Sequence, residues 1–106
     1  MTRLAFLLAV VMLAVTALAA CGQPMDEAGA RKAATDFFLA MPHEGGVVPQ
    51  DVTITDARAA TRDGRDGWEV AINGRIVLPG LPDGYLTAIV LFVDGSTRQV
   101  TVVAGG

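Results

Sequence analysis

The sequence predicts an α+β domain in which an N-terminal helix packs on a four-stranded antiparallel sheet. Residues 26–41 place apolar side chains at helical spacing. The rest of the chain alternates apolar and polar residues between short turn signals, as strands do. Short links join all of these segments, so the order is one helix followed by neighbouring strands.

The 106 residues divide into a leader and one small domain. We expect residues 1–20 to be a signal peptide, residues 21–25 a lipidated tether and residues 26–106 a single α+β domain. Removing the leader leaves 86 residues, enough for one hydrophobic core but too few for two. In this mature part seven basic side chains stand against eleven acidic ones, a net charge near −4. Nucleic acid is therefore excluded as a partner.

The leader is an apolar run over residues 4–20, interrupted only by Thr16 and preceded by Arg3. Such a run is typical of a segment that crosses a membrane during export. As a helix it would reach about 25 Å, less than the roughly 30 Å hydrocarbon core, and no basic cluster follows it. We therefore expect a cleaved leader and no permanent membrane span.

The end of this run, Leu18-Ala19-Ala20-Cys21, resembles the lipobox of bacterial lipoproteins. The resemblance implies that the Cys21 thiol takes a diacylglyceryl group and that cleavage falls between Ala20 and Cys21. The small side chains of Ala19 and Ala20 let a peptidase approach. Cys21 is the single cysteine, so no disulfide partner competes for it.

Lipidation predicts the localisation of the protein in the cell envelope. Two or three acyl chains would hold it to the outer side of the cytoplasmic membrane, or to an outer membrane if the organism has one. The competing interpretation is ordinary signal cleavage, because Ala17-Leu18-Ala19 fits the small-x-small pattern. That cleavage would leave Cys21 as a free thiol.

The predicted helix carries its apolar residues on one face, and these are Ala30, Ala33, Ala34, Phe37, Phe38 and Met41. Glu27 and Arg31 form a favourable i, i+4 pair on the opposite side, and Pro42 ends the helix. We expect the apolar face to pack on the sheet, with the two phenylalanines at its centre. The alternative, a helix lying on a membrane surface, would need more basic residues.

The first strand is predicted around residues 52–55, with a β-bulge near Asp56 where the alternation slips. Residues 62–67 contain two Asp-Gly pairs and no apolar side chain, which predicts a solvent-exposed turn. The spacing of Asp63 and Asp66 does not fit a calcium loop.

Residues 68–78 leave a choice open. Asn73-Gly74 is a strong hairpin signal, yet the apolar parity continues unbroken from Val70 to Ile76. The pattern favours one long strand with a kink or bulge at Gly74, and a hairpin is the alternative.

Residues 79–84 are predicted to form a rigid loop, and residues 85–93 are the most strongly β-forming run. Asp94-Gly95 is predicted to be a two-residue hairpin turn, which would pair Val93 with Ser96. In that register one face of the last hairpin, with Thr87, Ile89 and Leu91, packs under the helix.

The other face of this hairpin would carry Leu86, Val90 and Phe92 on the uncovered side of the sheet. We predict these three residues as a candidate partner surface, for another protein of the cell envelope or for a second copy of the chain. Scattered exposed apolar residues are also common on ordinary surfaces, which is the competing interpretation.

The order of elements resembles the small exported PepSY and cystatin-like domains, with Trp68-Glu69-Val70 opening a strand and residues 93–100 near the end. The resemblance implies a protein-binding or peptidase-modulating role in the cell envelope. The usual Thr-Gly before the final strand is replaced by Thr97-Arg98, and no functional residue is carried over.

No constellation of residues predicts a reaction. The single histidine, His43, stands in a loop beside Glu44, without an evident nucleophile or metal-ligand set. We therefore predict a non-catalytic, lipid-anchored module that binds another envelope protein and needs no cofactor or metal. The alternatives are a small cystatin-like enzyme or ligand-binding domain, which a cleft lined by Trp68 or Tyr85 would favour, and a structural surface lipoprotein.

Overall fold

The computed structural model describes residues 25–105 and has the α+β arrangement expected from the sequence. Ala20 and Cys21, where lipidation and cleavage are predicted, lie outside these residues. Helix α1 spans Glu27–Ala40, and a short 3₁₀ turn covers Glu44–Gly46. The strands are β1 (Gln50–Arg62), β2 (Arg65–Leu78), β3 (Leu81–Asp94) and β4 (Val100–Gly105). They form one antiparallel sheet in the order β1-β2-β3-β4, and α1 packs on one face of it.

Local sequence sets both ends of α1. The Asp26 carboxylate accepts a hydrogen bond from the Gly29 backbone N–H at 2.8 Å, which satisfies one of the free N–H groups of the first turn. Met41 leaves the helical conformation immediately before Pro42, as residues preceding proline tend to do. The predicted pair of Glu27 and Arg31 is present, with Nε and Oε2 3.3 Å apart.

The core lies between α1 and the sheet face that it covers. Phe38 is fully buried there, together with Val70, Ile72 and Leu91. Phe37 is only partly buried at the margin of this cluster. The prediction that the helix packs through its phenylalanines is confirmed, and Phe38 is the one at the centre.

The first hairpin follows the sequence pattern closely. The pairing of β1 with β2 shifts between Ile54 and Asp56, where the bulge is predicted. The turn itself is narrower than expected, since Arg62 and Arg65 already pair and only Asp63-Gly64 is unpaired. Both turn residues have positive φ, 51° and 76°, which suits the tight turns of two-residue hairpins.

Strand β2 is continuous, which confirms the long strand and excludes a hairpin at Asn73-Gly74. Gly74 pairs with Thr87 in unbroken register on the β3 side, whereas the pairing with β1 shifts between Gln50 and Thr53, opposite Gly74. The glycine is needed for space. A Cβ placed on it would lie 2.9 Å from both Phe38 Cε2 and Pro49 Cβ. Close packing under the end of α1, and not a turn, explains this residue.

The loop predicted over residues 79–84 is wrong for most of its length. Only Pro79-Gly80 forms a turn, and β3 already begins at Leu81, which pairs with Leu78. Pro82 is tolerated because, within residues 25–105, β4 pairs with β3 only from Ile89 onwards. Proline is compatible with strands whose outer side has no neighbour.

The register predicted for the last hairpin is also wrong, because Val93 pairs with Val100 and not with Ser96. The reason is the Asp94 side chain, whose Oδ1 accepts hydrogen bonds from the backbone N–H of Ser96 at 2.8 Å and of Thr97 at 3.0 Å. Such local bonds compete with strand pairing and widen the turn.

The side chains of β3 that were predicted to face the core nevertheless do so. The partner of Val93 moves by four positions, an even number, so side chains up to Val102 keep their predicted faces. A register shift between Val90 and Leu91 then pairs Ala104 with Val90 and places it on the other face. Ile89 and Leu91 are accordingly buried beneath α1, and Val102 pairs with Leu91.

Candidate functional site

The face of the sheet opposite α1, which we call the open face, contains the three residues predicted as a partner surface. Leu86 is 65% exposed and Val90 is partly buried. Phe92 is only 5% exposed, although it lies on the side without a helix. The structure therefore leaves Leu86 and Val90 accessible, and it removes Phe92 from the predicted strip.

Phe92 is buried because the neighbouring strand β2 has a glycine, Gly67, where a side chain would otherwise occupy the space of its ring. Its ring lies over Gly67, where a Cβ would come within 2.8 Å of Phe92 Cζ. Arg62, Arg65 and Thr101 line the same depression around the ring. The Gly67 position belongs to β2, whereas its Asp-Gly pattern had indicated a turn residue. Because Gly67 was assigned to a turn, the sequence did not predict the space that the Phe92 ring occupies.

Beside Phe92, Asp94 forms a hydrogen-bonded cluster that holds the β3–β4 turn. Its Oδ2 accepts from Arg65 Nη1 at 2.9 Å, and its Oδ1 accepts from Ser96 Oγ at 2.8 Å in addition to the two backbone donors. The Thr97 N–H, followed by the Arg65 guanidinium and the Ser96 donors, holds the pKa of the Asp94 carboxyl well below its usual range. Oδ1 thus accepts three hydrogen bonds and Oδ2 accepts one, and because these bonds hold the turn we interpret the cluster as structural.

The middle of the open face is a shallow trough of about 220 Å³. Small side chains on three neighbouring strands lower the surface there. Its lining includes Thr55, Ala71, Asn73, Ala88, Val90 and Ala104. Leu86 lies two residues before Ala88, on the same face, and projects into solvent beside the trough. The trough and Leu86 together form an accessible apolar surface.

A second concave region lies on the helix side, where the loop after α1 passes β3. This cleft has a volume of about 280 Å³. Its walls are mainly apolar, with Phe38, Met41, Ile76, Ile89 and Val102. Its polar side chains are those of His43, Glu44, Thr87 and Tyr85.

The polar groups of the cleft are held in place by specific contacts. The Tyr85 hydroxyl donates a hydrogen bond to Glu44 Oε2. This bond, followed by partial desolvation and the charge of the carboxylate, raises the pKa of Tyr85. His43 Nε2 lies 2.6 Å from the Phe38 carbonyl oxygen, and its ring packs edge-on against the Phe38 ring with centroids 5.0 Å apart. Because a carbonyl only accepts, Nε2 carries the hydrogen.

The sequence pattern did not connect Glu44 with Tyr85, which are 41 positions apart. The histidine beside Glu44 was assigned to a solvated loop, whereas the structure places it partly buried on the end of α1. Trp68 contributes to neither concave region. Its Nε1 donates to the Met25 carbonyl oxygen at 2.8 Å, so its role is to hold the start of the domain.

Within residues 25–105, His, Cys, Asp and Glu side chains form no group of three that could hold a metal ion. In the same part of the chain, α1 is too short and too polar to span a bilayer. Comparison with models of known protein families, with curated proteins and with solved structures finds no match to this chain. The resemblances to lipoproteins and to PepSY and cystatin-like domains remain predictions from the sequence.

Proposed function

We propose that the protein is a lipid-anchored, non-catalytic module of the cell envelope that binds another envelope protein through its open face. The observation that carries the proposal is the trough of small side chains beside exposed Leu86. This apolar surface has no covering element among the described residues. Exposed apolar surface with a polar surround is typical of sites where proteins associate.

The shape of the surface supports a protein partner over a small ligand. Ala71, Ala88 and Ala104 bring the strands' backbone close to the surface, so a partner's side chains can enter the trough. Leu86 projects beside it and can enter a depression on the partner. Trough and projection together are features that a complementary protein surface can match.

A photo-crosslinking amino acid in place of Leu86, in the full-length protein in its native host, tests this proposal. We expect one adduct of defined mass, and we expect Val90→Asp to abolish it while the variant still folds. The matched control is the same probe at Leu81, which is 52% exposed but lies outside the trough, and it should give no adduct.

The masses separate the possible outcomes. An adduct of twice the monomer mass would identify the partner as a second copy of the chain. Absence of any adduct from Leu86, or equal adducts from both positions, would contradict binding through the open face.

The helix-side cleft favours a second candidate function, the binding of a small ligand. A cleft of about 280 Å³ lies near the lower end of the usual range for ligand pockets, roughly 300–1,000 Å³. The Glu44 carboxylate and Tyr85 hydroxyl at one end of apolar walls suit a small amphipathic amine. Alkylamines of increasing length should raise the melting temperature of the wild type, and less so that of Glu44→Gln, if this candidate is correct.

A further inference from the structure

The described chain begins at one end of the sheet and is fastened there. The Met25 backbone N–H donates to the Gly95 carbonyl oxygen at 2.8 Å, and the Met25 carbonyl accepts from Trp68 Nε1 at 2.8 Å. Gly95 lies in the β3–β4 turn, and Trp68 pairs with Val93 just before that turn. The β1–β2 turn at Asp63-Gly64 lies at the same end. We call this the hairpin end of the domain.

The predicted lipid attachment point is close to this end by covalent geometry alone. Four residue steps separate Cys21 from Met25, and a fully extended chain covers at most about 14 Å in four steps. Any conformation of the intervening residues keeps Met25 within that distance of Cys21. By contrast, thirteen residue steps of β3 separate Asp94 at the hairpin end from Leu81, about 43 Å of strand.

We propose that the hairpin end is the membrane-facing surface of the anchored protein, and that lipid headgroups are what it meets. This inference rests on the lipidation of Cys21 in the proposed function. Beyond lipidation, it specifies which end of the domain faces the bilayer. The opposite end, with the Pro79-Gly80 turn and the Glu44–Tyr85 pair, points away from the lipid.

The chemistry of the hairpin end fits a polar lipid surface. Thr97 and Arg98 are exposed at the tip of the β3–β4 turn, and their side chains offer donors to phosphate oxygens. Two large aromatic side chains lie nearby, and neither is available to insert: Trp68 is turned inward by its bond to Met25, and Phe92 is only 5% exposed. Contact is therefore superficial, and the short tether determines the orientation.

The orientation has a consequence for the partner site. Ala88, in the trough, is six residue steps along β3 from Asp94, which is about 20 Å of strand. Leu86 is about 26 Å along the same strand. The open-face surface is thus held above the headgroups, where a protein of the same envelope space can reach it without displacing lipid.

Energy transfer to the bilayer measures this orientation in the full-length, lipidated protein. One fluorophore is attached at Thr97→Cys, at the hairpin end, and in a second protein at Leu81→Cys, at the far end. Both positions are exposed. Each protein is reconstituted in phosphatidylcholine–phosphatidylglycerol vesicles whose headgroups carry an acceptor dye. Transfer from position 97 should be roughly threefold or more that from position 81, because about 40 Å of strand separates them.

Two controls separate the possible failures. Insertion of ten Gly and Ser residues after Gln23 should reduce the difference between the two positions, because it frees the domain to tilt. Mass spectrometry and vesicle flotation, with Cys21→Ser as the negative control, report lipidation independently. Lipidated, floating protein with equal transfer from both positions would overturn the orientation and leave the anchor intact. Protein without lipid on Cys21 would overturn both.

Discussion

Truncation of Phe38 should strongly destabilise this domain. Its side chain is fully buried between α1 and the sheet, next to Gly74 and His43. Deleting a buried phenylalanine ring costs about 3–5 kcal/mol, which combines lost burial with the cavity left behind. A domain of about 80 residues has a free energy of unfolding of roughly 4–12 kcal/mol. Phe38→Ala should therefore lose between about a quarter and all of this free energy of unfolding.

Phe37→Ala is the matched control for this prediction. Phe37 is the adjacent residue of the same helix but only partly buried, so we expect about half of the loss or less. Urea unfolding followed by the fluorescence of Trp68, the single tryptophan, measures both variants. A larger loss for Phe37→Ala than for Phe38→Ala, or a loss below about 1 kcal/mol for Phe38→Ala, would refute the packing described above.

Two further predictions follow from single contacts, and a third follows from the lipobox-like end of the leader. Gly74→Ala should destabilise the domain by about 1–3 kcal/mol in the same urea assay, since the new Cβ overpacks the space beside Phe38, and an unchanged midpoint would contradict this. The lowered pKa of Asp94 means that its contribution to stability is complete above its unfolded pKa of about 3.9 and is lost as the pH falls below that value. The difference in stability between wild type and Asp94→Asn should therefore be largest near neutral pH and shrink in acid, and a difference independent of pH would exclude this role for the charge. A clickable fatty acid fed to the cells should label the wild type and not Cys21→Ser, whereas label on both proteins would rule out acylation at this thiol.

The candidate sites could be predicted only in part from the sequence. Alternation along β3 was sufficient to place Leu86 and Val90 on the open face, because side chains alternate strictly along a strand. The same rule placed Phe92 there, but its burial depends on Gly67 of β2, 25 positions away in the chain. The contact between Glu44 and Tyr85 likewise needs the loop after α1 to pass β3. No pattern in a single sequence carries such contacts.

What the sequence determined by itself is the local structure. The helix bounds follow from Asp26 and Pro42, the bulge from a slip in alternation at Asp56, and the length of β2 from unbroken parity, all of which depend on residues a few positions apart. Tertiary structure decided the rest. The β3–β4 register depends on the Asp94 carboxylate, which accepts hydrogen bonds both from neighbouring backbone N–H groups and from Arg65, 29 positions away. The position of Met25 at the hairpin end depends on its hydrogen bond with Trp68, 43 positions away. Only the assembled sheet brings these two groups within hydrogen-bond distance.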